Sequence, residues 1–199
     1  MTAPDRYTPE EYLALERNAT FRSEYIDGRI TSMRQGESRP HNLIVSALIS
    51  EIGSGILDGP CELYANAMRV KVIASGDYVY PDLVVSCDPQ FEDEMVDTLL
   101  TPVLVLEVLS EFTEAHDRGK KFSLYRRIDT LREYVLISQW RPLVEQYVRE
   151  GAFWRLRVMD DVEASITLAS VGFEIPLRRI YAKALTPARR ALSSAGERG

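Results

Sequence analysis

The chain has 199 residues, 45% of them apolar and 27% charged, and carries a formal net charge of −6. That length suits one domain with a sizeable core, the mixed composition argues against intrinsic disorder, and the negative total argues against nonspecific nucleic-acid binding through a uniformly basic surface. No apolar run approaches the roughly 20 residues that span a bilayer and the N-terminus lacks a secretory apolar stretch, so a cytoplasmic protein with no membrane partner is expected.

Thr8-Pro9-Glu10-Glu11 combines a capping box with proline at the first helical position and opens a helix to about Glu16. FRSEYIDGRITSM then alternates about Asp27-Gly28, a strong hairpin signal. From about Pro40 to Leu57, Ile44, Val45, Leu48, Ile49, Ile52 and Ile56 recur at helical spacing, and His41 begins the same stripe. CELYANAM and RVKVIA read as strands with a turn between them, YPDLVVSC as another and VLVLEVL as a fifth. A helix capped by Thr113 runs to about Ile128, and LREYVLIS, LVEQYVRE and AFWRLRVM follow as strands, the last two joined near Glu150-Gly151. The expected organisation is one domain over 1–187 with a frayed tail at 188–199, built as an α/β sandwich around a mixed sheet.

Cys61 and Cys87 lie in no CxxC pair and read as two thiols in a reducing compartment rather than a disulfide or a zinc site. Charge is uneven. FEDEMVD (91–97) is an acidic loop, while DRGKKFSLYRR (117–127) and the C-terminal RRIYAK and ARR segments are basic, so a local positive field can exist within the acidic total.

Two strands each carry an acid among apolar residues: Asp82 before Leu83, Val84 and Val85, and Glu107 between Leu106 and Val108. A lone ionised carboxylate in a dry interior costs several kcal/mol, so each needs a partner, a proton or a cation. Either acid alone fits a solvated strand end, or an ion pair with Arg69 or Lys71. Two on neighbouring strands repel, and a hard divalent cation, Mg²⁺ or Mn²⁺, relieves that repulsion through oxygen ligands. In the next helix, Asp117, Lys121, Leu124, Tyr125 and Ile128 form one stripe facing the sheet, whereas Lys120 shares the solvent side with Ser123 and Arg127. An inward Lys121 either covers apolar surface and neutralises Asp117 at i−4, or serves chemistry on a phosphoryl group beside the two acids.

These segments resemble the PD-(D/E)xK nuclease superfamily, and in particular a bacterial Uma-type branch of restriction-endonuclease-like proteins. The likeness runs over roughly residues 8–150 through EYIDG, a following His, PDLVV, LEVLS, a Thr, the DxGxK spacing and a Tyr before EYVLI. It implies a restriction-endonuclease-like mixed sheet core flanked by helices, with Asp82 and Glu107 as metal-binding acids. The usual lysine position, two residues past the acid, holds Leu109 here, so the resemblance passes the lysine role to Lys121, with Lys120 as the alternative. Glu24 resembles an auxiliary acid that assists metal or water, or is an exposed strand glutamate. His41 touches phosphate, holds a carboxylate or caps its helix, and Asp117 orients Lys121. Glu111 and Phe112 replace the small or proline-containing turn of relatives and reshape the substrate mouth.

The implied function is a Mg²⁺- or Mn²⁺-dependent endonuclease acting on DNA, with RNA as a second substrate class and a homodimer or higher homo-oligomer expected by family analogy. The alternatives are a catalytically silent nucleic-acid or protein interaction module that retains the fold, and a hydrolase of small phosphate esters.

Overall fold

Thr8 caps the first helix, α1 (Pro9–Glu16): its Oγ1 accepts the Glu11 N–H at 3.2 Å, and Glu11 Oε2 accepts the Thr8 N–H at 2.8 Å. This computed structural model describes residues 6–33, 37–65 and 68–185, so the expected C-terminal tail and its ARR segment lie outside the described residues. The hairpin β1 (Ser23–Ile26) and β2 (Arg29–Ser32) turns at Asp27 and Gly28, whose φ values of 52° and 79° suit the left-handed turn that matches strand twist. Helix α2 (Arg39–Ile56) follows, with Ser38 Oγ accepting the His41 N–H. Ile44, Val45, Leu48, Ile52 and Ile56 are buried as their spacing requires, but Ile49 is exposed, because it lies at the edge of the apolar stripe.

The strands are β3 (Glu62–Ala65), β4 (Arg69–Val72), β5 (Asp77–Val79), β6 (Leu83–Ser86), β7 (Thr98–Leu99), β8 (Leu104–Leu109), β9 (Glu133–Ser138), β10 (Val144–Glu150), β11 (Phe153–Met159), β12 (Ser165–Leu168) and β13 (Phe173–Pro176). They form a central six-stranded sheet, β11-β10-β9-β8-β6-β3, a five-stranded sheet, β2-β1-β5-β4-β7, and the hairpin β12-β13. The central sheet is mixed: β8 and β9 are parallel and its other pairings antiparallel. One face packs against α2, the β12-β13 hairpin and the short helix α5 (Leu177–Tyr181). The other packs against the five-stranded sheet and the helical segment after β8.

Three expectations need correction. CELYANAM and RVKVIA do not pair with each other. Their strands β3 and β4 belong to different sheets, and β4 pairs instead with β5, an element the sequence reading merged into its neighbours. Cys61 and Cys87 are joined by a disulfide rather than free. They flank the cross-strand pair Glu62↔Ser86, so continuing that register sets them opposite each other, a proximity that linear spacing does not contain. The helix expected over 113–128 is broken into α3 (Glu114–His116), one π turn (Asp117–Lys121) and α4 (Phe122–Tyr125). Thr113 donates no side-chain cap to it and bonds Ser110 instead, Oγ to Oγ1 at 3.1 Å. Among the described residues no helix is long and apolar enough to cross a membrane.

Candidate active site

Asp82 precedes β6 and Glu107 lies within β8. These strands are antiparallel with Leu83 opposite Leu106, so one further step of register sets Asp82 opposite Glu107. Two backbone bonds lock the arrangement: Asp82 N–H donates to Glu107 Oε2 at 3.2 Å, and Val108 N–H donates to Asp82 Oδ2 at 2.7 Å. Strand alternation turns Glu107 to the same face as Val105 and Leu109, toward the helical segment. There it is 2% exposed, whereas the Asp82 side chain keeps 22% of its surface open.

The helical segment delivers Lys121 to that face. Asp117, Lys121, Leu124, Tyr125 and Ile128 are all buried, and Lys120 points outward to an ion pair with Asp27. The π turn widens the helix between Asp117 and Lys121, with the Phe122 N–H reaching back to the Asp117 carbonyl, a feature frequent at functional sites. Lys121 Nζ donates to Glu107 Oε1 at 3.0 Å and to the Tyr80 carbonyl at 3.1 Å, and stands 3.4 Å from both Glu24 Oε1 and Asp117 Oδ1. Burial opposes its charge, yet Glu107, Glu24, Tyr125 and Asp117 outweigh that and hold the ammonium well above its ordinary pKa.

Burial drives the Glu107 carboxyl well above the usual range in spite of Lys121, with Asp117 and Asp82 adding to the rise. Tyr125 Oη donates to Glu107 Oε1 at 3.1 Å, and burial raises its own pKa, so it stays a neutral donor. Neither acid pairs with Arg69 or Lys71, which bind Asp97 and Glu92 respectively.

Glu24 is buried, against the reading of an exposed strand glutamate. Burial raises its pKa, but Lys121 and His116 together pull it below its ordinary value. His41 sets Nε2 3.2 Å from Asp82 Oδ2; desolvation opposes its charge, but the Asp82 bond prevails and raises its pKa. Its Nδ1 is buried without a hydrogen-bond partner. Holding a carboxylate is therefore the contact His41 makes, alongside its place in the first turn of α2.

Thus Asp82, Glu107, Lys121, Glu24, Asp117 and His41 gather at one place, and Lys120 is turned away from it. The sequence reading missed His116, whose Nε2 lies 2.9 Å from Glu24 Oε2. The available signal was its place one residue before Asp117, in a chain with two histidines. What hid it was the assumption of a regular helix. The acidic loop also differs from expectation: Asp93 and Asp97 pair with Arg17, Asp97 with Arg69 and Glu92 with Lys71, so most of its charge is answered internally.

No group of three or more His, Cys, Asp and Glu side chains suited to hold a metal occurs among the described residues. The donors that fit a cation are the carboxylates of Asp82 and Glu107. Two hard oxygen donors are few for zinc, which takes three or four protein ligands, but suit an ion such as Mg²⁺ that retains waters and takes further oxygens from a phosphate.

Comparison with known proteins gives a family and a fold. The family model Uma2, described as "Putative restriction endonuclease", matches residues 9–178. Two Synechocystis sp. proteins are similar along most of their lengths: uncharacterized protein slr1290 is 32% identical over 177 residues, covering 88% of this chain and 92% of its own, and uncharacterized protein sll1609 is 37% identical over 145 residues, covering 72% and 81%. In three dimensions the chain is similar to a crystal structure from Anabaena variabilis described as a putative nuclease belonging to DUF820. The TM-score is 0.70 at 18% identity, over 88% of this chain and 97% of that one, a likeness that establishes the fold.

Proposed function

From the premise that the chain belongs to the Uma2 family and has a nuclease-like α/β fold, we propose that it is a metal-dependent endonuclease hydrolysing phosphodiester bonds in DNA. The observation that carries this reading is the set of two carboxylates opposed on adjacent strands with an ammonium 3.0 Å from one of them.

Asp82 and Glu107 would hold a Mg²⁺ or Mn²⁺ ion, which when bound lowers the pKa of water and offsets charge on the phosphoryl oxygens. Lys121 supplies a fixed positive charge for the pentacovalent phosphoryl group and orients the attacking water. Asp117 and Glu24 keep that ammonium in place, and His41 with the Val108 N–H fixes the orientation of Asp82. The incoming water displaces the leaving oxygen in line. Two copies would associate through edge strand β11, where Phe153, Leu156 and Val158 are exposed; a size-exclusion mass of one chain would refute this.

The test is nicking of supercoiled plasmid by pure protein with Mn²⁺, Mg²⁺ or EDTA, beside Asp82→Ala and Lys121→Ala. Metal-dependent nicking absent from both variants supports the reading. One observation favours the silent interaction module instead: Lys121 already lies within 3.4 Å of three carboxylates, so the cluster is partly neutralised by its own lysine. Mn²⁺ binding in calorimetry with no cleavage of any nucleic acid would select that second reading.

A further inference from the structure

Three contiguous clefts run across the candidate site, and their linings differ sharply in chemistry. The middle one opens onto Glu24, Asp117 and Lys121. On one side, sharing Ile26, Thr31 and His116 with it, lies a cleft lined by Arg6, Arg29 and Lys120. On the other, sharing Glu37, Phe112 and Thr113 with the middle cleft, lies one lined by Phe112, Gln139 and Trp140. Phe112 is 64% exposed and Trp140 51% exposed, an unusual allocation for large aromatic rings beside a polar centre.

We propose, on the basis of the nuclease reading, that the substrate is unpaired around the scissile phosphate, with a base stacked on Phe112 and Trp140 and the adjoining backbone held by Arg6, Arg29 and Lys120. Three observations lead there. Among the described residues that line it, the aromatic cleft has Glu37 and Glu111 and no lysine or arginine, a lining that disfavours phosphate and accepts the neutral face of a base. The opposite cleft has the reverse character: among its described lining residues, Arg6, Arg29 and Lys120 outnumber the carboxylate of Asp27, which pairs with Lys120. Between them the reactive groups are recessed, Glu107 being 2% and Lys121 5% exposed, so a flexible single strand reaches them more readily than the surface of a rigid duplex. A positive track beside aromatic platforms is how single strands are held without sequence preference. Gln139, whose Oε1 accepts the Ser38 hydroxyl, adds a polar edge to the base site.

The experiment compares Mn²⁺-dependent cleavage of a labelled single strand, a forked duplex and a fully paired duplex of the same sequence, in DNA and in RNA. It uses wild type, Phe112→Ala, Trp140→Ala, Arg29→Ala and a control, Leu57→Ala, at an exposed side chain just past the end of α2. The single strand and fork should be cut at least about tenfold faster than the duplex. Each of Phe112→Ala and Trp140→Ala should lower kcat/KM on unpaired substrate by about 5- to 100-fold, the size of a lost base stack. Leu57→Ala should leave it unchanged. Arg29→Ala should flatten the salt dependence of single-strand affinity by about 0.7 in the log–log slope. Equal cutting of duplex and single strand, with Phe112→Ala and Trp140→Ala at wild-type rates, would overturn this proposal and leave the nuclease reading intact. Absence of both cleavage and binding for every nucleic acid would overturn both.

Discussion

Lys121 Nζ lies 3.0 Å from Glu107 Oε1 although the two residues are fourteen apart in sequence, on a π turn and on the strand it covers. At the position two residues after Glu107, Leu109 is buried in the apolar core between the two sheets. The ammonium therefore enters from the helix above rather than along the strand. This route places Glu24 and Asp117 around the same lysine, so its removal and the removal of Glu107 should have unequal consequences.

Lys121→Met leaves Glu24, Glu107 and Asp117 buried without their shared cation and should cost about 3–5 kcal/mol of stability. Glu107→Gln should cost less, because Lys121 keeps Glu24 and Asp117 as ionic partners when the Glu107 charge is removed. Urea denaturation of both variants measures the difference. Equal losses would show that the cluster is not organised around the lysine.

Under the proposed nuclease reading, Glu24 and His116 should separate in their effects on nicking. Glu24 touches Lys121 directly, and Glu24→Ala should lower the rate on the order of tenfold or more, as expected when a group positioning a catalytic charge is lost. Among the described residues His116 bonds Glu24 and touches neither Asp82 nor Glu107, so His116→Ala should reduce the rate less than Glu24→Ala and leave Mn²⁺ affinity unchanged. Single-turnover rates beside calorimetric titrations would test this, and a larger loss in His116→Ala would assign that imidazole a direct role.

The Cys61–Cys87 disulfide closes a loop of sequence separation 26 and ties edge strand β3 to β6, the strand that follows Asp82. Replacing both cysteines by serine should destabilise the protein by about 2–4 kcal/mol. Reduction with dithiothreitol should lower Tm in the wild type and have no effect on the doubly substituted protein. A wild-type Tm indifferent to reduction would exclude a stabilising role.

Acid should weaken the contact between α1 and the loop before β7. The Arg17 guanidinium, with Thr98 and Arg69 in support, holds the Asp97 carboxyl well below the usual carboxylate range despite partial burial. A depressed folded pKa contributes stability that is fully present above the unfolded value of about 3.9 and is lost as pH falls through the folded value. Asp97→Asn should thus lower Tm at neutral pH and give a shallower decline of Tm between about pH 5 and pH 2. Parallel Tm curves for the two proteins would rule the contribution out. Solvent screening at this half-open site keeps the effect modest.

Local patterns determined a good deal by themselves. The capping box at Thr8, the Asp27-Gly28 turn and the buried stripe of α2 depend on contacts within a few residues, and such contacts are written in the spacing. The anomaly of Asp82 and Glu107 was equally legible, because a charge in an apolar strand demands a partner wherever the strand lies. Even the inward face of Lys121 followed from periodicity, since one π turn left Asp117 and Lys121 buried together. Tertiary structure decided what no local pattern encodes. It separated β3 and β4 into different sheets, brought Cys61 against Cys87, buried Glu24 beneath His116 and drew Arg17 and Arg69 onto the acidic loop. Each is a pairing across long sequence separation, chosen by how whole sheets stack and register rather than by the residues on either side.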